Sequence, residues 1–528
     1  MEPKFGTTTS SFLFLLSYFI HPMNKRIPIE PNNNKTANQL TKKHKMEPKN
    51  HGSHVIVLPY PSQGHINPLL QFAKHLASKG VKATLAIAVE PISDGFDSGG
   101  FTQARTEDVY LKSLRDNGSR SLSQLIEKYK DSKFPINCVV YDSFFPWALD
   151  VAKTHGIYGA PFFTNSASVC SIFCRVHHGV VRLPMKEEEL PLTMRGMPPM
   201  NLVDLPSFVQ APESNPAYLA MQLTQYSNLD KADWVFGNSF EELEGQVLKN
   251  VWELWPGKLI GPMIPSAYLD QRIEDDKGYG ASLWKPLSSE CAKWLETKSS
   301  QSVIYVSFGS MVSLTEEQME EMAWGLKGSN LDFIWVVRES EITKLPSEFI
   351  DLTTSGKGLI VTWCNQLEML AHEAIGCFVT HCGWNSTLEG LGLGVPMVGV
   401  PKWADQLTNA KFIEEIWGIG VRAKEDEKGV LRREELMGCL REVMEGERSV
   451  EIRKNACKWK ELAKEAISEG GSSDKSIDEF VEHLKCGNEK GVVKKLTDEN
   501  DHSFPFLIRC WLSMPTRHVV SYTRNCSI

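Results

Sequence analysis

Two short apolar runs, CFVT at 377–380 and PMVGV at 396–400, stand on either side of the segment HCGWNSTLEGLGLGV. Each is bounded by Gly or Pro, and uninterrupted apolar runs of this length read as strands buried on both faces of a parallel sheet. After the first run, Cys382 and Gly383 turn the chain behind His381, and Ser386 with Glu389 three residues on has the spacing of a capping box. The pattern is a strand, a tight turn and a helix start. The unpaired N–H groups and dipole at such a start favour an anion by about 0.3 to 1 kcal/mol at exposed sites, so a phosphate fits there.

The residues around this turn have the chemistry of a nucleotide-diphosphate site. His381, Asn385 and Ser386 can donate to phosphate oxygens, and Glu389 can accept from both hydroxyls of a ribose. Trp363 offers a flat face to a base, where stacking contributes roughly 1 to 3 kcal/mol. Gln366 can read a base edge, and Asp405 with Gln406 carries the acceptors and donors a sugar needs. Taken singly, each has a plainer reading: Ser386 and Glu389 as a helix cap, Trp363 and Trp384 as core aromatics. Cys364, His372, Cys377, His381 and Cys382 lack the paired spacing of a zinc site. The joint pattern decides between the readings.

That pattern resembles the signature box of the plant family 1 UDP-glycosyltransferases. WCxQ, HCGWNS, the Glu three residues after that Ser, GVP and the closing DQ all stand at the family's spacing between Trp363 and Gln406. The resemblance implies a donor site in which Trp363, Cys364 and Gln366 meet the uracil and Glu389 the ribose. His381, Trp384, Asn385 and Ser386 would take the phosphates, and Asp405 and Gln406 the sugar, with glucose implied by the final Gln. One departure is Ala404, where relatives often carry a hydroxyl; its backbone contacts are expected to survive.

At 528 residues the chain exceeds one ordinary core and suggests two domains with appendages. A net charge of −8 argues against a nucleic-acid or anionic-membrane partner. Twelve Cys without paired spacing suggest reduced thiols and a cytoplasmic setting. Residues 1–52 read as a disordered or mis-annotated extension. The apolar run Ser11–Ile20 is shorter than the roughly 20 residues a bilayer span needs, and no membrane anchor is expected.

Residues 53–264 read as a first doubly wound domain and 287–470 as a second. The polar stretch 265–286 is the expected linker, with a short helix over 471–486 and an unstructured tail over 487–528. In the first domain HVIVLPY is a strand, and PSQGHINP a loop that opens a helix running to about Lys79; Asn137–Asp142 is a further strand ending in an acid. His65 and Asp142 thus fall at the carboxyl ends of strands, where such folds bind ligands. Ala160–Asn165 is another strand, and Trp234–Ser239 the domain's last. Between 170 and 230 the chain is irregular and rich in Met and aromatic residues, which suits either plain core or a variable apolar ligand.

The resemblance implies GT-B architecture, two facing Rossmann-like domains, with His65 as catalytic base paired to Asp142. Ser310 would lie near the phosphates and Thr164 would touch the sugar. The expected reaction is inverting, metal-independent transfer of glucose from UDP-glucose to a hydroxyl or carboxyl of a small apolar plant metabolite. UDP-glucose is a co-substrate and no cofactor is expected; a monomer is. The flanking sequence resembles the subgroup acting on carboxylic acids, thiohydroximates and triterpenoids. The rival readings are a catalytically silent nucleotide-sugar-binding protein, against which stands the retained His65 and Asp142 pair, and a secreted transferase.

Overall fold

Strict alternation along the strands decides which layer each side chain joins. The computed structural model describes residues 52–86, 93–96, 103, 104, 106–251, 253–280, 286–349 and 356–498; the extension before residue 52 and the tail after residue 498 lie outside them. Six parallel strands form the first sheet: His54–Leu58 (β1), Lys82–Leu85 (β2), Cys138–Asp142 (β3), Tyr158–Phe163 (β4), Phe236–Gly237 (β5) and Lys258–Leu259 (β6). Six more form the second: Val303–Ser307 (β7), Asp332–Val336 (β8), Gly358–Val361 (β9), Ile375–Thr380 (β10), Met397–Gly399 (β11) and Gly420–Arg422 (β12).

The strand orders are β2-β1-β3-β4-β5-β6 and β12-β11-β10-β7-β8-β9. In each sheet the winding direction reverses beside the first strand, between β1 and β3 and between β7 and β10. Val55 and Val57 join one apolar cluster while Ile56 and Leu58 join that on the opposite face. Val303 and Tyr305 divide in the same way from Ile304 and Val306. The first of these clusters continues from one sheet to the other.

Two elements differ from their sequence-based outlines. The strand expected over Trp234–Ser239 has only two paired residues, and it is not the last, because Lys258–Leu259 pairs beyond it at the sheet edge. Strands of two or three residues, β12 included, are too short to show a period. The final helix runs Ser472–Asp498, beginning within one residue of the expected 471–486 helix but ending beyond it, and so enters the stretch read as tail. Much of the 170–230 stretch is core: Phe173, Met200 and Phe208 are buried.

The final helix returns the chain to the first sheet. Ile477, Phe480, Val481 and Leu484 are buried, and the Phe480 ring lies 5.0 Å from Phe236, 5.6 Å from Trp234 and 6.3 Å from Phe72. Phe72 is fully buried and also meets Phe162 and Phe236. Phe72→Ala is expected to lower stability by about 3–5 kcal/mol, because a cavity adds to the lost transfer energy. A denaturant titration of the variant would show the lowered midpoint.

The polar stretch expected as a linker is pinned over its described part. Asp276, nearly inaccessible, accepts from Ser266 N at 2.7 Å, Gln71 Nε2 at 2.6 Å and Lys74 Nζ at 2.7 Å. Arg272 donates to Asp270 at 2.6 Å and to Asp474 of the final helix at 2.8 Å. These bonds hold the strap to helix Gln63–Ser78 and to the final helix.

Candidate active site

Where winding reverses in an open parallel sheet, the two flanking connections splay apart and leave a crevice at the carboxyl strand ends. On the first sheet that crevice holds His65 and Asp142. Helix Gln63–Ser78 already begins at Gln63, so His65 stands in its first turn and not in a preceding loop. Its Nδ1–H donates to Asp142 Oδ2 at 2.6 Å, with Thr164 Oγ1 3.2 Å from the same nitrogen. Asp142 is fully buried, and its other oxygen accepts from Phe144 N at 3.1 Å. Tyr60 and Phe144 flank the imidazole, with ring centres at 5.3 and 4.9 Å. The His65 side chain keeps 18% exposure. With Nδ1 committed to the carboxylate, Nε2 carries the free lone pair and can take a proton.

The second crevice gathers the residues on either side of β7 and β10. A Cβ on Gly309 would lie 2.8 Å from the His381 ring, and one on Gly383 would lie 2.5 Å from it. Gly309 also has φ +67°, a conformation glycine adopts freely. Burial lowers the His381 pKa to about 4 against the opposing Ser307 backbone, with Arg338 adding to the fall. His381 is therefore neutral at pH 7. Arg338 ties down the loop beside it by donating to the carbonyls of Ser310 and Val312.

The capping box expected at Ser386 and Glu389 does not form. Helix Trp384–Leu393 starts after Gly383 and has no side-chain cap, which places Ser386 inside the first turn. Its N-terminal N–H groups thus have no side-chain oxygen competing for them. Ser386 Oγ and Glu389 Oε2 instead accept from Gln366 Nε2, at 2.9 and 2.6 Å. Tyr305 donates to Gln366 Oε1 at 3.4 Å and lies 3.5 Å from the Cys364 thiol. The Gln366 amide, expected to read a base edge, is thus engaged inside the protein. Tyr279 donates to Glu389 Oε1 at 2.8 Å. Burial raises the Glu389 carboxyl to about 7, opposed by the bonds from Gln366 and Tyr279. The Trp363 carbonyl accepts from Leu287 N at 2.9 Å.

Several bonds join the two crevices. Pro68 has no N–H to offer the Gly64 carbonyl one helical turn back, and Asn385 Nδ2 donates to that carbonyl at 2.6 Å. The Trp384 indole donates to Asn238 O at 2.7 Å. Asn409 Nδ2 donates to Asp405 Oδ2 at 2.7 Å and to Cys382 O at 3.0 Å, while its Oδ1 accepts from Ser166 at 3.1 Å. Burial raises Asp405 to about 6; the Asn409 bond opposes this, as does the electrostatic influence of His65. Gln406 Oε1 accepts from Lys402 N at 3.0 Å and Trp403 N at 3.2 Å, which leaves its Nε2 as the group able to meet a sugar. At Ala404 (φ 56°) the backbone N–H donates to Ser207 Oγ at 2.8 Å, while the carbonyl accepts from Ser207 N at 3.0 Å and keeps a second lone pair.

Sequence reasoning missed Tyr279, Asn238, Arg338 and Asn409. Asn409 carried a signal, since it lies four residues after Asp405 at the start of helix Gln406–Lys411. The others act across large separations that no local pattern encodes.

Two doubly wound sheets with crevices at their switch points define the GT-B class of nucleotide-sugar transferases, and the comparisons agree. Residues 223–465 match the family model for UDP-glucoronosyl and UDP-glucosyl transferase. The chain is 52% identical over 453 residues to UDP-glycosyltransferase 74B1 of Arabidopsis thaliana, covering 82% of this chain and 97% of that one. It is 44% identical over 452 residues to the flavonol 7-O-beta-glucosyltransferase UGT74F1 of the same plant, covering 82% and 98%. The crystal structure of Os79 from O. sativa in complex with UDP superposes with a TM-score of 0.77 at 38% identity, covering 81% of this chain and all of that one. The chain belongs to the plant family 1 UDP-glycosyltransferases. It is an enzyme that uses a UDP-sugar.

Proposed function

We propose that the enzyme transfers glucose from UDP-glucose, with inversion, to a hydroxyl or carboxyl of a small apolar plant metabolite. The observation that carries this reading is the bonded His65 and Asp142 pair, whose imidazole acts electrostatically on Asp405 and whose neighbour Gly64 accepts from Asn385 of the second domain. The Arabidopsis relative named for β-glucosylation of a flavonol supports both glucose and the β product. In the proposed step His65 Nε2 takes the acceptor proton as the acceptor oxygen attacks the anomeric carbon from the face opposite UDP. The bond from that carbon to the phosphate oxygen breaks, and UDP leaves with the electron pair. Asp142 stabilises the imidazolium that forms. Neutral His381, Asn385, Ser386 and the uncapped helix start would receive the charge growing on the phosphates, by donated hydrogen bonds and a dipole fixed in advance. Trp363 and Cys364 would hold the uracil, Glu389 the ribose, Asp405 and Gln406 the glucose, with Ser310 beside the phosphates and Thr164 near the sugar.

Catalysis is proposed to need no metal; among the described residues, no three His, Cys, Asp or Glu side chains gather as a ligand set. No helix among the described residues is long and apolar enough to cross a membrane. Eight of the ten described cysteines are buried and all ten are free thiols, which supports a cytoplasmic, reducing setting. The purified enzyme, incubated with UDP-glucose and a panel of plant acids, phenols and triterpenoids, should form a β-glucoside or glucose ester at an unchanged rate in excess chelator. Activity lost to chelator and restored by magnesium would overturn metal independence. UDP-glucose binding with no conversion of any acceptor would favour the silent binder.

A further inference from the structure

The strap between the domains delivers one side chain into the second crevice. Tyr279, half-buried, donates its hydroxyl to Glu389 Oε1 at 2.8 Å, while Gln366 Nε2 takes Oε2 at 2.6 Å. A carboxylate has about four lone-pair sites. One donor on each oxygen fixes the plane of the group and leaves one lone pair on each, a pair of acceptors that a vicinal diol can address with two O–H groups. Glu389 is only 4% exposed, so its orientation is set by these two donors, its hydrogen-bond partners among the described residues. Tyr268 of the strap and Tyr305 of β7 are the further titratable groups that interact with it electrostatically.

The position of Tyr279 depends in turn on where the strap is docked. Lys74 of helix Gln63–Ser78 donates to the Gly278 carbonyl at 2.5 Å, one residue away, and to Asp276 at 2.7 Å. Gln71 of the same helix holds Asp276 as well. The helix that carries His65 therefore anchors the strap whose tyrosine orients Glu389.

We propose that Tyr279 is a positioning residue for nucleoside recognition: it aims the Glu389 carboxylate at the ribose diol and couples donor affinity to docking of the strap on the first domain. This rests on the reading of Glu389 as the ribose acceptor, so the test separates the two. UDP and 2′-deoxy-UDP are titrated by calorimetry at pH 8 against wild type, Tyr279→Phe and Glu389→Gln.

In Tyr279→Phe, loss of one hydrogen bond to a charged group should weaken UDP about 10-fold and the deoxy nucleotide less, so the ribose preference shrinks. The kcat at saturating UDP-glucose should stay within about twofold, and the thermal midpoint should hold. The pH at which UDP-glucose affinity is lost should also move upward, because the phenol favours the charged carboxylate. A ribose preference unchanged in Tyr279→Phe but lost in Glu389→Gln would overturn the role of Tyr279 and leave that of Glu389 standing. A preference unchanged in both variants would overturn both. Equal weakening of both nucleotides together with a lowered thermal midpoint would mark Tyr279 as structural and overturn the proposal.

Discussion

Replacing His65 by Ala should lower kcat about 10²- to 10⁴-fold, the range typical of a positioned general base, and leave the Kd for UDP within about twofold. One contact, that of His65 with Asp142, acts in two ways. The bond of Nδ1 to Asp142 fixes the tautomer, so the nitrogen left over is the one with a lone pair. The buried carboxylate also stabilises the imidazolium once the proton has moved. Asp142→Asn should therefore cost a similar factor in kcat while keeping shape and volume. Its amide would donate to Nδ1, shift the imidazole proton to Nε2 and remove the base. The two losses should not add, because they remove the same function. Steady-state kinetics with a confirmed acceptor, beside calorimetric titration of UDP, would decide. A His65→Ala enzyme with near wild-type kcat would mean that the acceptor arrives already ionised and His65 serves only to orient it.

Affinity for UDP-glucose should fall roughly 10- to 100-fold between pH 8 and pH 5.5, since each carboxyl contributes up to about 10-fold per pH unit below its pKa. Burial raises Glu389 from 4.5 to about 7 and Asp405 from 3.8 to about 6. In the empty enzyme a carboxyl raised in this way favours the fold most below its unfolded value. That contribution is lost as pH rises through the folded value, here between 4.5 and about 7 and between 3.8 and about 6.

Donor binding has the opposite sign. In the proposed roles of Glu389 and Asp405, ribose and glucose hydroxyls would donate to the charged carboxylates, so binding should be full above about 7 and be lost as pH falls through about 7 and then about 6. UDP-glucose is the right probe, because both of its phosphates are esterified and keep their charge across this window. The thermal shift it induces should accordingly grow from acid to alkaline pH. Glu389→Gln should remove the upper step and leave the lower one. An affinity that is flat or improves in acid would show that these carboxylates do not meet the donor in their charged form.

Much of the candidate site was legible in the chain because it sits in one continuous stretch. His381, Asn385, Ser386 and Glu389 fall at a strand end and the helix after it, and Asp405 with Gln406 at the next such junction. Residue type and spacing suffice there. What the local pattern misjudged was the use of particular atoms. Ser386 and Glu389 have the spacing of a capping box, yet the helix starts at Trp384 and both side chains turn to Gln366. At Ala404 the local pattern also gives no sign that Ser207 from the other domain takes the backbone N–H and one lone pair of the carbonyl.

By itself the sequence determined the two doubly wound halves and the placement of His65 and Asp142 at strand ends, and it singled out the residues proposed for the donor side. Alternating apolar strands and helix starts are short-range properties, encoded within a few residues of where they act. The tertiary structure decided that β1 lies beside β3 and β7 beside β10, which opens a crevice at each reversal. It also set Gly64 against Asn385, Ser207 against Ala404 and Tyr279 against Glu389, pairs separated by 321, 197 and 110 residues. No local rule reaches so far, because the energy of such a contact exists only once both sheets have packed and water has left the space between them.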